Sequence, residues 1–568
     1  MSSRHIRPDN GVMLNAYPDS MGGTLSQIAD ILKKPELKGA FSSFYILPSI
    51  FNTDLDRGFS VIDYGLNELV ADKKDVENLK KLGIDLKLDF ILNHCSVLAK
   101  EFQDILKNGE TSRYRDFFID WNKFWEGHGT MTLEGFIQPN EELIKDMFFR
   151  KPGLPILMVR LTDGKSIPYW NTFYQEIQYP EIDALDMMQE TELQYGSAEQ
   201  LSDIVNQALK AGKKPVEIEL GRYKKYKDHV VNILESRRKY LGQMDLNIES
   251  PLVWEYYDHT LKTLSEYGAK IVRLDAFAYA PKTPGARNFL NDPGTWDLLK
   301  DVQELADKYN LELLPEIHSS YEEKTYERLA EKGYMTYDFF LPGLIIDALE
   351  NGSGDNLASW AEELKTKKIR VVNMLGSHDG IPLLDLKGLI SNEQIEKLIN
   401  VVVSRGGYVK NLHGQKHVYY QVNAAYYSAL GEDIKKMLMA RAIQIFMPGK
   451  PQVWYLDLFA GTNDYEAVKR AGAGGHKEIN RTNLSVEQIE ERMKLDVVKK
   501  QLSMLQFRNS FIAFGFDSEM NVQAAGPKLE IKWMNQGYEA NLMADLQTFN
   551  YEIKGVDING NISVYLSN

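Results

Sequence analysis

The chain has 568 residues, 43% of them hydrophobic, and its 80 acidic against 66 basic side chains give a formal net charge of −14. That length accommodates a barrel of about 250 residues with attached domains, and the mixed composition is that of a soluble globular protein. The acidic balance argues against nucleic acid or an anionic membrane as the main partner, and no apolar stretch of about 18 residues offers a membrane span.

In chain order, the apolar runs that read as parallel strands are GVMLNAY, FSSFYILP, LKLDFILNH, IVRLDAF, LELLPEI, MTYDFFLP, VVNMLG and AIQIFMPG, mostly separated by helical or mixed segments. This alternation predicts an α/β fold, a (β/α)8 TIM barrel drawn from residues 1–94 and 252–514. Residues 95–251 are too many for one crossover and are expected to form an inserted subdomain, with a basic helical insert near 190–242 whose charges suit a solvated face. A second excursion spans 381–430, and 515–568 alternates as a small C-terminal antiparallel β domain. The N-terminus MSSRHIRPDN has no apolar core and the single cysteine, Cys95, has no partner for an internal disulfide, so a cytoplasmic protein is expected.

The run IVRLDAFAYA carries two charges inside a buried strand pattern. Period-two alternation puts Arg273 and Asp275 on one face, where a guanidinium keeps a carboxylate ionised and aimed, as a carboxylate nucleophile requires. Similar charges end three other strands: Asp89, Asn93 and His94; Glu316 and His318; His378 and Asp379. One such strand end is an ordinary salt bridge as readily as a site. Four in order match a barrel that gathers catalytic side chains at the C-terminal ends of its strands.

Asp275 and Glu316, on adjacent strands, suit the retaining-glycosidase pair with its separation of about 5 to 5.5 Å. Asp275 is then the nucleophile, and Glu316, in an apolar PEI context, the acid and base with a raised pKa. Asp379 is a third carboxylate that takes hydrogen bonds from sugar hydroxyls in an oxocarbenium-like transition state, with His94 and His378 as hydroxyl donors. No HxH or HExxH spacing occurs near these positions, so neither a metal nor another cofactor is expected.

DFILNH, RLDAFAYA, LLPEIH and LGSHDG resemble the four ordered motifs of the α-amylase family, glycoside hydrolase family 13. AYPDSMGG, DRGFSVIDY, RKPGLP, YWNTF, YYQVNAAYYSALG, MPGKPQVWY, FAGTND and EINR are similar to its sucrose phosphorylase branch, across nearly the whole chain outside 190–242. The resemblance implies the same three carboxylate roles. It also implies a glucose subsite completed by Asp56, Phe59, His94, Arg273, His378 and Arg481, with Tyr279, His318 and Gln421 close by. The implied activity is exo-acting transfer of glucose from sucrose to inorganic phosphate, giving α-glucose 1-phosphate and fructose. Sucrose 6'-phosphate stands nearly level as donor, glucosylglycerate and glucosylglycerol remain open, and α-glucosidase hydrolysis ranks lower. Every motif acid is present, which weighs against a silent binding barrel.

Phosphate needs cationic donors at the pocket mouth. Arg150 and Lys151 in one loop, and Arg405, Lys410, His413, Lys416 and His417 in another, are candidates, and similarity adds Lys151 and Tyr420 as contacts of phosphate or leaving group. Two departures stand out. Val418 and Tyr419 occupy positions where sucrose-specific members carry an acidic and then an aliphatic residue, and LGSHDG replaces the usual LDTHDG. Loss of that acidic contact and the added basic residues would suit a phosphorylated leaving group, with sucrose itself still ranked first. The oligomeric state stays open, a homodimer being one assembly.

Overall fold

Eight short, mostly buried parallel strands form the core of one sheet: β1 (Met13–Ala16), β2 (Ser43–Ile46), β3 (Asp85–Ile91), β4 (Ala269–Asp275), β5 (Glu312–Pro315), β6 (Thr336–Asp338), β7 (Val371–Met374) and β8 (Lys450–Trp454). They are hydrogen-bonded in the order β5-β4-β3-β2-β1-β8-β7-β6, the cyclic order of a (β/α)8 barrel. The computed structural model describes residues 9–150, 152–411, 419–472 and 475–567.

The expected eighth strand, AIQIFMPG, is corrected by the structure. Its apolar run ends the helix Ile434–Phe446, in which every residue from Met437 onward is buried, and the strand is the following KPQVW. A helix enclosed on all sides has no polar stripe, so its sequence carries no period to tell it from a buried strand.

The chain forms two compact units. The first takes in the chain up to Asn93, Asn140–Pro152, and the chain from Leu246 on; the second takes in His94–Pro139 and Gly153–Asp245. The first unit ends in a five-stranded antiparallel meander, β9 (Glu519–Ala525), β10 (Lys528–Asn535), β11 (Tyr538–Asp545), β12 (Asn550–Val556) and β13 (Ile562–Ser567). Alternate residues Leu529, Ile531 and Trp533 face its core, and Leu529 and Ile531 contribute roughly 1.5–3 kcal/mol apiece by burial. Trp533 Nε1 donates to the Phe446 carbonyl at 2.7 Å, so the sheet is pinned to the buried helix.

In the second unit, Lys239–Asp245 pairs antiparallel with both Gln175–Gln178 and His94–Ser96. Helices Ala184–Thr191, Tyr195–Lys210 and Lys227–Arg237 enclose a core that includes Met187, Leu201, Val205, Val230 and Ile233. Lys213, Lys214, Lys224 and Lys225 point into solvent around it. Among the described residues no helix is long and apolar enough to cross a membrane.

Candidate active site

Parallel register sets the site. The Cα of Arg273 in β4 is paired with that of Asp89 in β3, and β4 ends two residues later at Asp275, on the same face of the strand. Arg273 Nη1 lies 2.5 Å from Asp89 Oδ1 and 2.9 Å from Asp275 Oδ1, and Nη2 lies 2.8 Å from Glu316 Oε1 just past β5. One guanidinium serves three carboxylates. Tyr45 Oη on β2 donates to Asp89 Oδ1 at 3.0 Å, which anchors the far side of the cluster. Burial opposes the charge on Arg273, but these acids hold its pKa well above the ordinary arginine value.

The shifts of Asp275 and Glu316 run opposite to the sequence-based expectation. Burial pushes Asp275 up to about 8, more than Arg273 pulls it down, because that cation is divided among three acids. Burial also acts to raise Glu316, but Arg273 and His318 together hold it at about 2. His318 Nε2 is 3.3 Å from Glu316 Oε1, so the PEI glutamate is not in an apolar setting. In the pocket without sugar, burial shifts Asp275 up while Arg273 and His318 shift Glu316 down, and the two titrate as a pair.

His318 is itself clamped. Its Nδ1 lies 3.0 Å from Asp385 Oδ2, and its ring stacks on Phe339 at 3.9 Å and 19°. Burial would lower its pKa; Asp385 and Glu316 outweigh burial and lift it to about 10, so the ring is charged at neutral pH.

His378 and Asp379 follow β7. Phe59 stacks on His378 at 5.2 Å and 8°, while Tyr17 and Tyr45 present their edges to it. Phe59 reaches this position through Gly58, at φ +116, where a side chain would run into the Ser49 backbone nitrogen. Enclosed by aromatic rings, His378 is driven by burial to about 3 and is neutral at pH 7. Asp379 Oδ1 takes Lys477 Nζ at 2.5 Å and faces Arg481 Nη2 at 4.0 Å. Burial would raise Asp379; His378, Lys477 and Arg481 hold it well below the carboxylate range, and with His378 neutral the two lasting cations are Lys477 and Arg481. Arg481 Nε donates to the His378 carbonyl at 2.9 Å, which fixes the guanidinium. Both ring nitrogens of His378 and Nη2 of Arg481 are buried without a hydrogen bond among the described residues, a cost that a polyhydroxylated ligand would relieve.

Arg273, Glu316, His318, His378, Asp379 and Gln421 line one narrow pocket, with Tyr45, Tyr337 and Gln452 at its floor. A wider cavity continues from Glu316 and His318 past Tyr279, Asp385 and Lys387 to Ile395 and Ile399. Arg150 Nη1 donates to Tyr279 Oη at 3.0 Å, and Phe289 packs 4.6 Å from the same ring; Tyr279 and Phe289 line this wider cavity.

Three further expected residues have the following surroundings. Asp56 is exposed, at φ +49, and forms no ion pair among the described residues; its neighbour Arg57 donates to the Arg481 carbonyl at 2.8 Å and pairs with Glu478 and Asp19. His94 opens the second unit, buried, in register with Asp245 and 4.7 Å from the Phe173 ring. Arg405 is corrected as an anion donor: both its terminal nitrogens lie 3.0 Å from the two oxygens of Glu350. Lys151, His413, Lys416 and His417 lie outside the described residues, as do the side chains of Lys410, Tyr419 and Tyr420.

The LGSHDG departure has a structural counterpart. Gly376 stands where the family pattern has aspartate, and its N–H donates to Asp457 Oδ2 at 2.9 Å. A Cβ at 376 would lie 2.5 Å from that oxygen, so glycine makes room for the Asp457 carboxylate.

Sequence reasoning missed Asp385 and Lys477, which reach the site from the short helical turns Leu384–Leu386 and Gly475–Asn480, Lys477 one residue before EINR. It also passed over Lys87, although a lysine two residues before Asp89 on a buried strand is the same signal that singled out Arg273. Lys87 Nζ donates to Tyr337 Oη and, at 2.8 Å, to Gln452 Oε1 beneath the pocket. Ligand atoms of Glu316, His318 and Asp379 lie within 4.8 Å of one another, but Arg273 and charged His318 already neutralise this cluster, and a divalent cation would have to displace them.

No family model matches the chain. It is 47% identical over 553 residues to the sucrose 6(F)-phosphate phosphorylase of Ilumatobacter coccineus, spanning 96% of this chain and 95% of that protein. It is 33% identical to the sucrose 6(F)-phosphate phosphorylase of Thermoanaerobacterium thermosaccharolyticum, over 98% and 99% of the two chains. The crystal structure of sucrose 6F-phosphate phosphorylase from Thermoanaerobacter thermosaccharolyticum superposes with a TM-score of 0.80 at 32% identity, covering 100% of this chain and 99% of that one. With the barrel, the ordered motif acids and these full-length relatives together, the chain belongs to the sucrose phosphorylase branch of the α-amylase family, glycoside hydrolase family 13, and is a glycosyl-transferring enzyme.

Proposed function

We propose that the protein is a retaining phosphorylase that moves glucose from a sucrose-type α-glucoside to inorganic phosphate through a covalent glucosyl-enzyme, with sucrose 6'-phosphate as the preferred donor and fructose 6-phosphate as leaving group. The observation that carries the chemistry is Arg273, which binds Asp275 and Glu316 through its two terminal nitrogens. Plain sucrose, releasing fructose, is the second reading. Two relatives named for the 6(F)-phosphate, at 47% and 33% identity, and the Val418–Tyr419 departure favour the phosphorylated donor.

In this reading glucose enters the narrow pocket, and its hydroxyls hydrogen-bond with the His378 and Arg481 nitrogens that have no hydrogen bond of their own and with the oxygens of Asp379. The shared proton crosses from Asp275 to Glu316, which leaves the nucleophile ionised and the acid loaded. Asp275 attacks the anomeric carbon while Glu316 protonates the departing oxygen, and Asp379 stabilises the positive charge that develops on the ring. Phosphate then attacks the anomeric carbon from the face the leaving group vacated, opposite the ester bond, giving its proton to Glu316 while Asp275 departs as a carboxylate. Retention follows from the two inversions, so the product is α-glucose 1-phosphate. Arg150 supports phosphate or the phosphorylated leaving group from the wider cavity.

The test is release of glucose 1-phosphate from sucrose and from sucrose 6'-phosphate, side by side, with and without inorganic phosphate. Faster phosphate-dependent release from the 6'-phosphate is expected. Equal or better release from sucrose would make sucrose the donor, and free glucose regardless of phosphate would sink the phosphorylase reading.

A further inference from the structure

Glu316 must be an acid in the first half-reaction and a base in the second, and the structure places a buried charge array behind it. Glu316 Oε1, His318 Nε2, His318 Nδ1 and Asp385 Oδ2 follow one another at 3.3 and 3.0 Å, the imidazole sitting between the two carboxylates. Phe339 covers the ring face at 3.9 Å, so the imidazole cannot swing away without losing that stack. Asp385 is 7% exposed and projects from the turn Leu384–Leu386, well outside the four family motifs.

We propose that Asp385 is a positioning residue that keeps His318 as a cation beside Glu316, so that the pair Asp385–His318 sets the proton affinity of the acid/base through both half-reactions. This rests on the phosphorylase reading above. When Glu316 gives its proton to the departing oxygen, it becomes a carboxylate 3.3 Å from a cation that is already in place, and no solvent has to reorganise. When phosphate attacks, Glu316 regains a proton against that same charge. Acid strength is thus raised at the expense of base strength, which suits a leaving group of high proton affinity and a second nucleophile that is already anionic.

The charged groups around the imidazole agree with this. Glu316 and Asp385 flank it; Arg273 lies on the far side of Glu316; an Asp379 oxygen lies within 4.8 Å of both the imidazole and Glu316, and Glu323 acts on Asp385 at longer range. Lys387, next along the turn, is tied to Glu322 at 2.7 Å. Phe339 contributes no charge. Burial pushes Asp385 up more than His318 pulls it down, whereas His318 rises because two carboxylates face one imidazole; the proton belongs on the ring.

The experiment compares wild type with Asp385→Asn and Asp385→Glu, using two donors: the sucrose-type substrate, whose leaving group needs a proton, and α-glucosyl fluoride, whose leaving group does not. Formation of α-glucose 1-phosphate is followed across pH. For Asp385→Asn the expected result is a loss of about three- to tenfold in kcat/KM with the sucrose-type donor, little change with the fluoride, and a basic limb displaced upward by about one pH unit, because the carboxyl pair holds its proton longer beside a neutral imidazole. Asp385→Glu should restore much of the loss. Equal losses on both donors with an unmoved basic limb would mean that Asp385 only supports the fold, and would overturn the inference while leaving the phosphorylase reading intact. No glucose 1-phosphate from either donor with the wild type would sink both.

Discussion

Lys477 Nζ lies 2.5 Å from Asp379 Oδ1, joining a loop lysine to a motif aspartate 98 residues earlier in the chain. Asp379 has a depressed pKa, so the pair stabilises the fold above the ordinary carboxylate range and that contribution fades as pH falls through the native value. Lys477→Met should lower kcat/KM about tenfold, about 1.4 kcal/mol of transition-state stabilisation, and move the acidic limb of the pH profile upward. An unmoved acidic limb would show that Arg481 alone holds the charge of Asp379.

Asp275 behaves in the opposite sense. Its native pKa of about 8 stands above the ordinary value, so the folded state keeps a proton that the unfolded chain releases, and stability declines as pH rises between the two values. Asp275→Asn removes this dependence. The variant should lose at least about 10⁴-fold in turnover while melting higher than wild type above pH 8, the difference shrinking in acid. Calorimetry across pH checks the second half, and a lower melting point at alkaline pH would contradict the assignment of the proton to Asp275.

Glu316→Gln keeps size and loses the transferable proton. Phosphorolysis of the sucrose-type donor should fall about 10²- to 10⁴-fold, whereas α-glucosyl fluoride should enter the glucosyl-enzyme at close to the wild-type rate. A uniform loss on both donors, read by single-turnover kinetics, would remove Glu316 from the role of acid.

Gly376 and Asp457 invite an exchange. Gly376→Ala forces a Cβ against the Asp457 carboxylate and should cost roughly 1–3 kcal/mol, and Asp457→Gly strands the buried Gly376 N–H at a similar cost. Gly376→Asp combined with Asp457→Gly should recover most of the loss, with a coupling of about 1 kcal/mol or more in a double-mutant cycle by denaturant unfolding. Additive losses would show that the two positions do not share one carboxylate site.

Much of the barrel was legible because its signals are local. Period-two alternation sets Arg273 and Asp275 on one face within a single strand, and the apolar runs of β1 to β7 lie between recognisable breaks. AIQIF failed for a local reason as well: burial on every side erased the period that separates helix from strand. The Glu316 setting failed for a different reason. Pro315 and Ile317 are its neighbours along the chain, but its neighbours in space are Arg273 and His318, since adjacent strand residues face opposite ways.

The sequence by itself therefore determined the barrel, the identity and order of the motif acids, and the branch of the family, all of which depend on residues a few positions apart. Only the tertiary structure decided the opposite pKa shifts of Asp275 and Glu316, that His318 is charged, and that Asp385 and Lys477 join the site while Asp457 pairs with Gly376. Those side chains arrive across 67, 81 and 98 residues. Electrostatic interaction falls with distance through space and strengthens with burial, and neither quantity is written in the spacing of a sequence.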